Sequence, residues 1–477
     1  MQKQINFWWS LIPLTVMVVA MILSVVIFEQ DPHIPLAIGT AVAALVAWKF
    51  GYKWKQLEEM MYKGIKLALP AVIIIMLVGI TIGAWIGGGI VATMVYYGLE
   101  IISPSIFLVT IVVICGIVSL AIGSSWATMG TIGVAGMGIG LSMGIPAAMV
   151  AGAVISGAYF GDKMSPLSDT TNLASGLTHT NLFDHIKHMF YTTIPALIIA
   201  LIAFGFLGKN FGANKINSAD IQQTLVDLQN NFVISPYLLI VPLLVIVLVA
   251  MKVPAVPALA VGIVFGFLSQ IVVQGESIAS ALGALQSGYV LESSNELVNE
   301  LFNRGGLLSM MDTVAMTIVA MTFGGILEFS GMLKSIMDQL MKLVKSTGSL
   351  IASTIGACFL TNATCSEQYI SIIVPARMFS KTYTAKGLHS KNLSRSLEDG
   401  GTLTSVFVPW NTCGVFIYGT LGVHAFAYAP YAILNYTVPL VALVLAYTGF
   451  SIVKISKEEK EKMLVLHENS NDEQAVI

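Results

Sequence analysis

Long apolar runs separated by short polar interruptions set the pattern of this chain. Clear spans are predicted at Trp9–Phe28, Ile34–Phe50 and Ile65–Trp85. A shorter pair follows at Ile106–Ala121 and Thr131–Gly144, then Ile145–Phe160, broken at Gly161, and His188–Leu207. After a polar connector, Gly208–Asn231, a second set runs Ile234–Ala250, Val256–Val273 and Leu307–Phe329. It continues with a short pair, Ser349–Leu360 and Tyr369–Phe379, then Leu393–Val408, broken by Pro409, and Tyr431–Val453. Runs of this length suit helices that cross a bilayer, whose hydrocarbon core takes about 20 residues.

The two sets carry the same features in the same order, offset by about 240 residues, which is how transporter repeats show themselves. Trp85-Ile86-Gly87-Gly88-Gly89 has its counterpart in Phe329-Ser330-Gly331, and Gly123–Thr128 in Thr361–Ser366. Ser156-Gly157 precedes Pro166 as Asp399-Gly400 precedes Pro409.

Charge orients each set. Lys49, Lys53, Lys55, Lys63 and Lys66 follow the second span, and Arg377, Lys381, Lys386, Lys391 and Arg395 follow the later short pair. Glu29-Gln30-Asp31 and the Glu276–Glu300 stretch are poor in Lys and Arg. Basic loops stay in the cytoplasm. The path is consistent if each short pair is a re-entrant hairpin, with tips at Ser124–Thr128 and Asn362–Glu367. The predicted fold is therefore an all-α polytopic membrane protein of two inverted-topology repeats. Each has about five transmembrane helices plus a re-entrant hairpin, with discontinuous helices at mid-membrane. Its parts are residues 1–207, a connecting loop at 208–232, the inverted repeat at 233–453 and a charged cytoplasmic tail at 454–477, with both termini cytoplasmic. The amphipathic stretch Met332–Val344 is either a helix along the cytoplasmic surface or an extra span.

Composition agrees with this picture. The 477 residues are 56% hydrophobic and 10% charged, where soluble proteins carry about 25% charged residues. A formal net charge of −2 leaves no basic face for a nucleic acid. The four cysteines lack metal-ligand spacing and read as small core residues. No small-residue cleavage site follows the first apolar run, which reads as an uncleaved span. His179, His185 and His188 read as surface residues near the headgroups. Gly136, Gly140 and Gly144, with Gly157 and Gly161, read as faces for close helix packing, with a hinge as the alternative.

The chemistry gathers at the interruptions. Gly161–Asn172 is charged and hydroxyl-rich, and a central Asp or Lys at membrane depth costs roughly 2.5–3.5 kcal/mol. Non-helical backbone at that depth must be buried in protein or line water. Two tips and two breaks should converge, bringing Asp162, Asp169, Glu367 and Asp399 among oxygen donors: Ser165, Ser168, Thr170, Asn362, Thr364 and Asn411. Such donors suit hard cations. Burial favours a protonated carboxyl and a nearby cation favours a charged one, so one carboxylate serves H+ or a metal ion in turn. Asp162 and Asp169 are the leading Na+ candidates. Lys163 is placed to balance one of them, and static salt bridges are the plain alternative.

The segment Ala158–Asn172 resembles the signature of the NhaC family of sodium/proton antiporters. Gly123-Ser124-Ser125-Trp126, Ser366-Glu367-Gln368 and Val408-Pro409-Trp410-Asn411 support the likeness, which extends from about Trp9 to Val453. The resemblance implies a bacterial cytoplasmic-membrane protein that exchanges cytoplasmic Na+ for external H+ by alternating access. Some members resemble exchangers of malate or lactate with Na+ and H+, and that alternative stays open. The expected partners are Na+, H+, lipid and, on the alternative, malate or lactate. Assembly is open between monomer and homodimer. No resident cofactor and no catalytic residue is expected, since no nucleophile–base pair or His-rich motif stands at membrane depth.

Overall fold

A computed structural model describes residues 4–28, 30–211, 218–293 and 296–455. The predicted tail from residue 456 onward, Glu29 and parts of the connector and of the acidic Glu276–Glu300 stretch lie outside the described residues. Among the described residues the chain is helical throughout, and one isolated bridge pairs Leu388 with Lys454. Among the described residues seven helices are long and apolar enough to cross a membrane, or up to nine if two sharply bent pairs each count as one span.

Polarity runs opposite to that of a soluble protein. Ile117, Phe206, Val264, Leu440 and Val444 stand exposed, while Asp162, Lys163, Arg395, Glu398 and Asp399 are buried. An apolar solvent outside and a polar core inside define a multi-pass membrane protein. The helix Trp54–Gly87 has 34 residues, a length of about 51 Å at 1.5 Å per residue. Its first turns carry Lys55, Glu58, Glu59, Lys63 and Lys66. This charged overhang explains why an apolar pattern alone begins the span at Ile65. The helix packs on Met311–Phe329, and glycine lets the backbones touch. A Cβ on Gly64 would stand 2.1 Å from Met321 O and 3.0 Å from the Cα of Gly325.

The chain turns between helices at or beside both predicted tips. Helix Pro104–Ile122 ends at Gly123 (φ 75°), and Ser124 caps the next helix by accepting from Ala127 N–H. Helix Thr347–Cys365 ends at Ser366 (φ 58°), and Glu367 caps Gln368–Ala385. The arms are longer than the apolar runs imply. Pro104–Ile122 and Thr347–Cys365 have 19 residues each and are long enough to cross a bilayer on their own.

The two breaks are real. Helix Ala147–Met164 gives way to Ser165–Ser168 before Asp169–Leu177 begins. Pro166 drives this, because it forces the preceding residue out of the helical region; Ser165 sits at φ −82°, ψ 131°. In the second set, Ser390–Leu397 runs into a π-turn at Glu398–Thr402 and a 3-10 turn at Ser405–Phe407. Past Pro409, Thr412–Leu421 resumes under an Asn411 cap.

Several elements differ from expectation. Residues 218–231 of the connector form a helix, Ser218–Asn231. Ile90–Ile101 is a helix that the span pattern misses. Met332–Met341 has ten residues, about 15 Å, too short for the extra span considered above. It buries Met332, Leu333, Ile336 and Met337. His185 and His188 are buried rather than at the surface, whereas His179 is exposed. The glycine faces pack tightly: a Cβ on Gly157 would meet Val112 O at 2.3 Å, and one on Gly161 would meet Gly116 O at 2.3 Å.

Candidate functional site

The first hairpin and the first break meet through Asp162. This carboxylate is on the last turn of Ala147–Met164 and is 6% exposed. Its Oδ2 accepts from Ser125 N–H (3.1 Å) and Ser125 Oγ (2.7 Å). Ser125 is the first residue of the return helix, so the carboxylate occupies a helix N-terminus, where free N–H groups favour negative charge. Gly123 lets the tip press onto the break, since a Cβ there would lie 2.8 Å from Ser168 N.

The second hairpin is tied to the second break by amides. Asn362 Nδ2 donates to Gly401 O (2.8 Å) and Thr404 Oγ1 (3.1 Å). Asn411 Nδ2 donates to Asn362 Oδ1 (3.1 Å) and Asn362 O (3.2 Å). Thr412 N–H reaches Ser366 O at 2.9 Å. Glu367 Oε2 accepts from Ile370 N–H at 3.0 Å, again a carboxylate on a helix N-terminus.

Two junctions between the halves bear directly on the site. Lys163 donates to Asp399 Oδ1, with both side chains fully buried. The sequence reading pairs Lys163 with Asp162 or Asp169. Instead its ammonium crosses to the second break, while Asp162 faces the hairpin tip. Asp399 Oδ1 also accepts from Thr192 Oγ1 (3.0 Å), and Oδ2 lies 3.8 Å from Arg395 Nε. The second junction is Trp126 of the first tip, stacked on Phe416 beyond the second break with ring centroids 4.3 Å apart.

A cavity of about 490 Å³ opens among these parts. Its polar lining includes Ser124, Ser125, Asp162, Asp169, Thr170, Asn172, Glu367 and Gln368, with Lys252 at its rim. Of the predicted site residues, Asp162, Asp169, Thr170 and Glu367 line it. Asp169 is exposed at the first turn of its helix, not buried as a deep exchange group would be. Ser165 and Ser168 accept from Leu167 N–H and Thr171 N–H and shape the break itself. Thr364 bonds within its own helix. Asn362, Asn411 and Asp399 stand behind the cavity as clamps. Lys252, Gln368, Thr192 and Arg395 lie outside the predicted site set, although Gln368 belongs to the Ser366-Glu367-Gln368 motif. Thr192 is joined to Asp399 only by folding, whereas Arg395, four residues before Asp399 at helical spacing, and Glu398, beside it, are visible in the sequence.

A multi-pass helical protein with two interrupted helices, two capped tips and an acidic cavity between them is a secondary transporter in architecture. The chain belongs to the Na+/H+ antiporter family, whose description matches residues 157–450. It is 40% identical over 455 residues to the Na+/H+ antiporter NhaC of Alkalihalophilus pseudofirmus, covering 95% of this chain and 98% of that one. It is 38% identical to NhaC of Bacillus subtilis, over 94% of this chain and 99% of that protein. It is also 41% identical to the malate-2H+/Na+-lactate antiporter of Bacillus subtilis, over 90% and 92%.

Proposed function

We propose that this chain exchanges cytoplasmic Na+ for external H+ across a bacterial cytoplasmic membrane by alternating access. The observation that carries the reading is the lining of the cavity. Asp162, Asp169 and Glu367 face it with hydroxyl and amide oxygens, against one lysine, Lys252. Such a lining draws a cation and suits a hard one. Proton and cation then compete for the same carboxylates, which couples their movements. Ser125, Thr170 and the tips of both hairpins supply further oxygen or N–H groups. Na+ and H+ are cargo here, and no resident cofactor enters the scheme.

The architecture we infer is a pair of inverted repeats, residues 1–207 and 233–453, each with a hairpin that turns back at mid-depth. Support comes from the two tight turns at Gly123 and Ser366, each lodged against the broken helix of its own half. Basic loops then lie in the cytoplasm with both termini. On this orientation Lys252 is cytoplasmic, and the open cavity is the inward-facing state. The move to the outward state is a displacement of hairpins and breaks against the long outer helices.

A second reading is exchange of an organic acid with Na+ and H+. The cavity volume favours it, since pockets of about 300–1,000 Å³ hold small-molecule ligands, and Lys252 offers a carboxylate partner. One experiment separates the two. In everted vesicles from a host stripped of Na+ exchangers, a fluorescent pH probe reports collapse of the respiratory pH gradient. Collapse on adding Na+ alone is expected. A response that needs malate or lactate selects the second reading, and no response under either condition overturns both.

A further inference from the structure

Four carboxylates are buried at the centre of the molecule: Asp162, Glu367, Glu398 and Asp399. Two fixed cations, Lys163 and Arg395, are buried with them. Three of the four acids have partners. Asp162 is held by Ser125, Glu367 by Ile370 N–H, and Asp399 by Lys163, Thr192 and Arg395. Glu398 is different. It is 0% exposed, and neither carboxylate oxygen accepts a hydrogen bond among the described residues.

Its surroundings are those of an ion seat. Glu398 opens the π-turn Glu398–Thr402, and single-turn π segments occur often at functional positions. Thr402 Oγ1 is also fully buried and unpartnered. The hydroxyls of Thr402 and Thr170 face the Glu398 carboxylate, with Lys163 and Asp162 in electrostatic reach. Cys358, in helix Thr347–Cys365, is also within electrostatic reach of it. Lys163 is already engaged by Asp399. Thr170 also lines the open cavity, so it stands between that cavity and Glu398.

An unpaired buried carboxylate is expensive unless it takes up a proton or a counter-charge. A ring of carboxylate and hydroxyl oxygen, with no buried His ring nitrogen or thiolate among its donors, matches a hard cation. We propose that Glu398, Thr402 and Thr170 form an occluded seat for one desolvated monovalent alkali cation, reached from the cavity past Thr170. This rests on the cation-exchange reading above and adds a second station to it. The cavity receives the hydrated ion, and the seat holds it stripped of water between the two broken helices.

Binding rather than transport tests the seat. Purified full-length protein in detergent is melted over a NaCl series, with choline chloride holding ionic strength constant. The wild-type melting temperature should rise with Na+ and saturate. Glu398→Gln should melt cooperatively in choline but lose the Na+-dependent rise. Should Glu398→Gln fail to fold, Thr402→Val is read instead, and its half-saturating Na+ concentration should rise at least tenfold, about 1.4 kcal/mol. A folded Glu398→Gln with the wild-type Na+ response overturns the seat. So does an unchanged half-saturation in Thr402→Val, or a wild-type protein indifferent to Na+. Failure of the exchange reading registers elsewhere, as wild-type vesicles that show no pH change.

Discussion

Lys163 and Asp399, 236 positions apart in sequence, form one fully buried ion pair between the two broken helices. Each lies next to another acid: Asp162 precedes Lys163, and Glu398 precedes Asp399. The pair therefore fixes the spacing between the cavity carboxylate and the occluded one. It also ties the two halves at the point where both helices have lost their regular hydrogen bonding.

Removing one partner of this pair should be costly. Lys163→Met leaves Asp399 with Thr192 and a distant Arg395, and breaking a buried pair this way destabilises by about 3–5 kcal/mol. Lys163→Met combined with Asp399→Leu removes both charges and should lose less than the sum of the single changes. Thermal unfolding of the detergent-purified variants measures this. Equal, additive losses would show that the two side chains are not coupled.

Asp162 and Ser125 give a graded prediction on transport. Ser125→Ala removes the 2.7 Å O–H bond but keeps the N–H bond. A hydrogen bond donated to a carboxylate favours its charged form, so its loss lets H+ compete better, and apparent Na+ affinity at fixed pH should fall by up to about tenfold. Asp162→Asn still accepts from the hairpin backbone and should fold, yet it cannot carry the charge and should lose exchange altogether. Flux in vesicles at fixed expression reads both, and Ser125→Ala with unaltered Na+ dependence would refute the assignment.

Much of this arrangement was legible, and what was not has physical causes. Pro166 and Pro409 announce their breaks through the polar residues around them; proline alone does not, since Pro70 and Pro195 sit inside continuous helices at the cost of a hydrogen bond. The apolar run ends at Phe160, but the helix continues to Met164. That extra turn aims Asp162 at the hairpin tip and Lys163 across the molecule. Polarity marks where a helix leaves the apolar phase, not where its hydrogen bonds stop. The polar composition of Ser218–Asn231 suggests a connector, although Ile221, Leu225 and Leu228 recur at helical spacing. Leu225 and Leu228 are buried. The Lys163–Asp399 pair leaves no local trace, since nothing along the chain specifies a contact made only when the two halves interlock. Nor does any residue pattern forecast the π-turn at Glu398–Thr402.

Glycine packing between the halves predicts a contrast. At Gly64 a Cβ would stand 2.1 Å from Met321 O, and backbone gives way less readily than a side chain. Gly64→Ala should therefore destabilise by about 1–3 kcal/mol, the usual range for overpacking. Gly176, inside helix Asp169–Leu177, has nothing within 4 Å of such a Cβ. Gly176→Ala should be neutral or stabilising by about 0.5–1 kcal/mol through reduced backbone freedom. Melting temperatures of the two variants side by side decide the matter, and the same loss in both would discount the close contact.

Ser366 concentrates strain at the second tip. It holds φ 58°, ψ 17° without being glycine, a conformation that costs an ordinary residue roughly 1–2 kcal/mol. Its carbonyl accepts from Thr412 N–H, while its buried hydroxyl has no partner among the described residues. The backbone contact needs no side chain, and the hydroxyl contributes desolvation without a bond. Ser366→Gly should thus raise stability by about 1–2 kcal/mol. Ser366→Val should lower it, because a β-branched side chain tolerates this region least. Denaturation of the two variants against wild type gives the order directly. A loss of stability in Ser366→Gly would mean that the hydroxyl is held in the membrane-embedded protein, and the tip would then join the ion path rather than only shaping it.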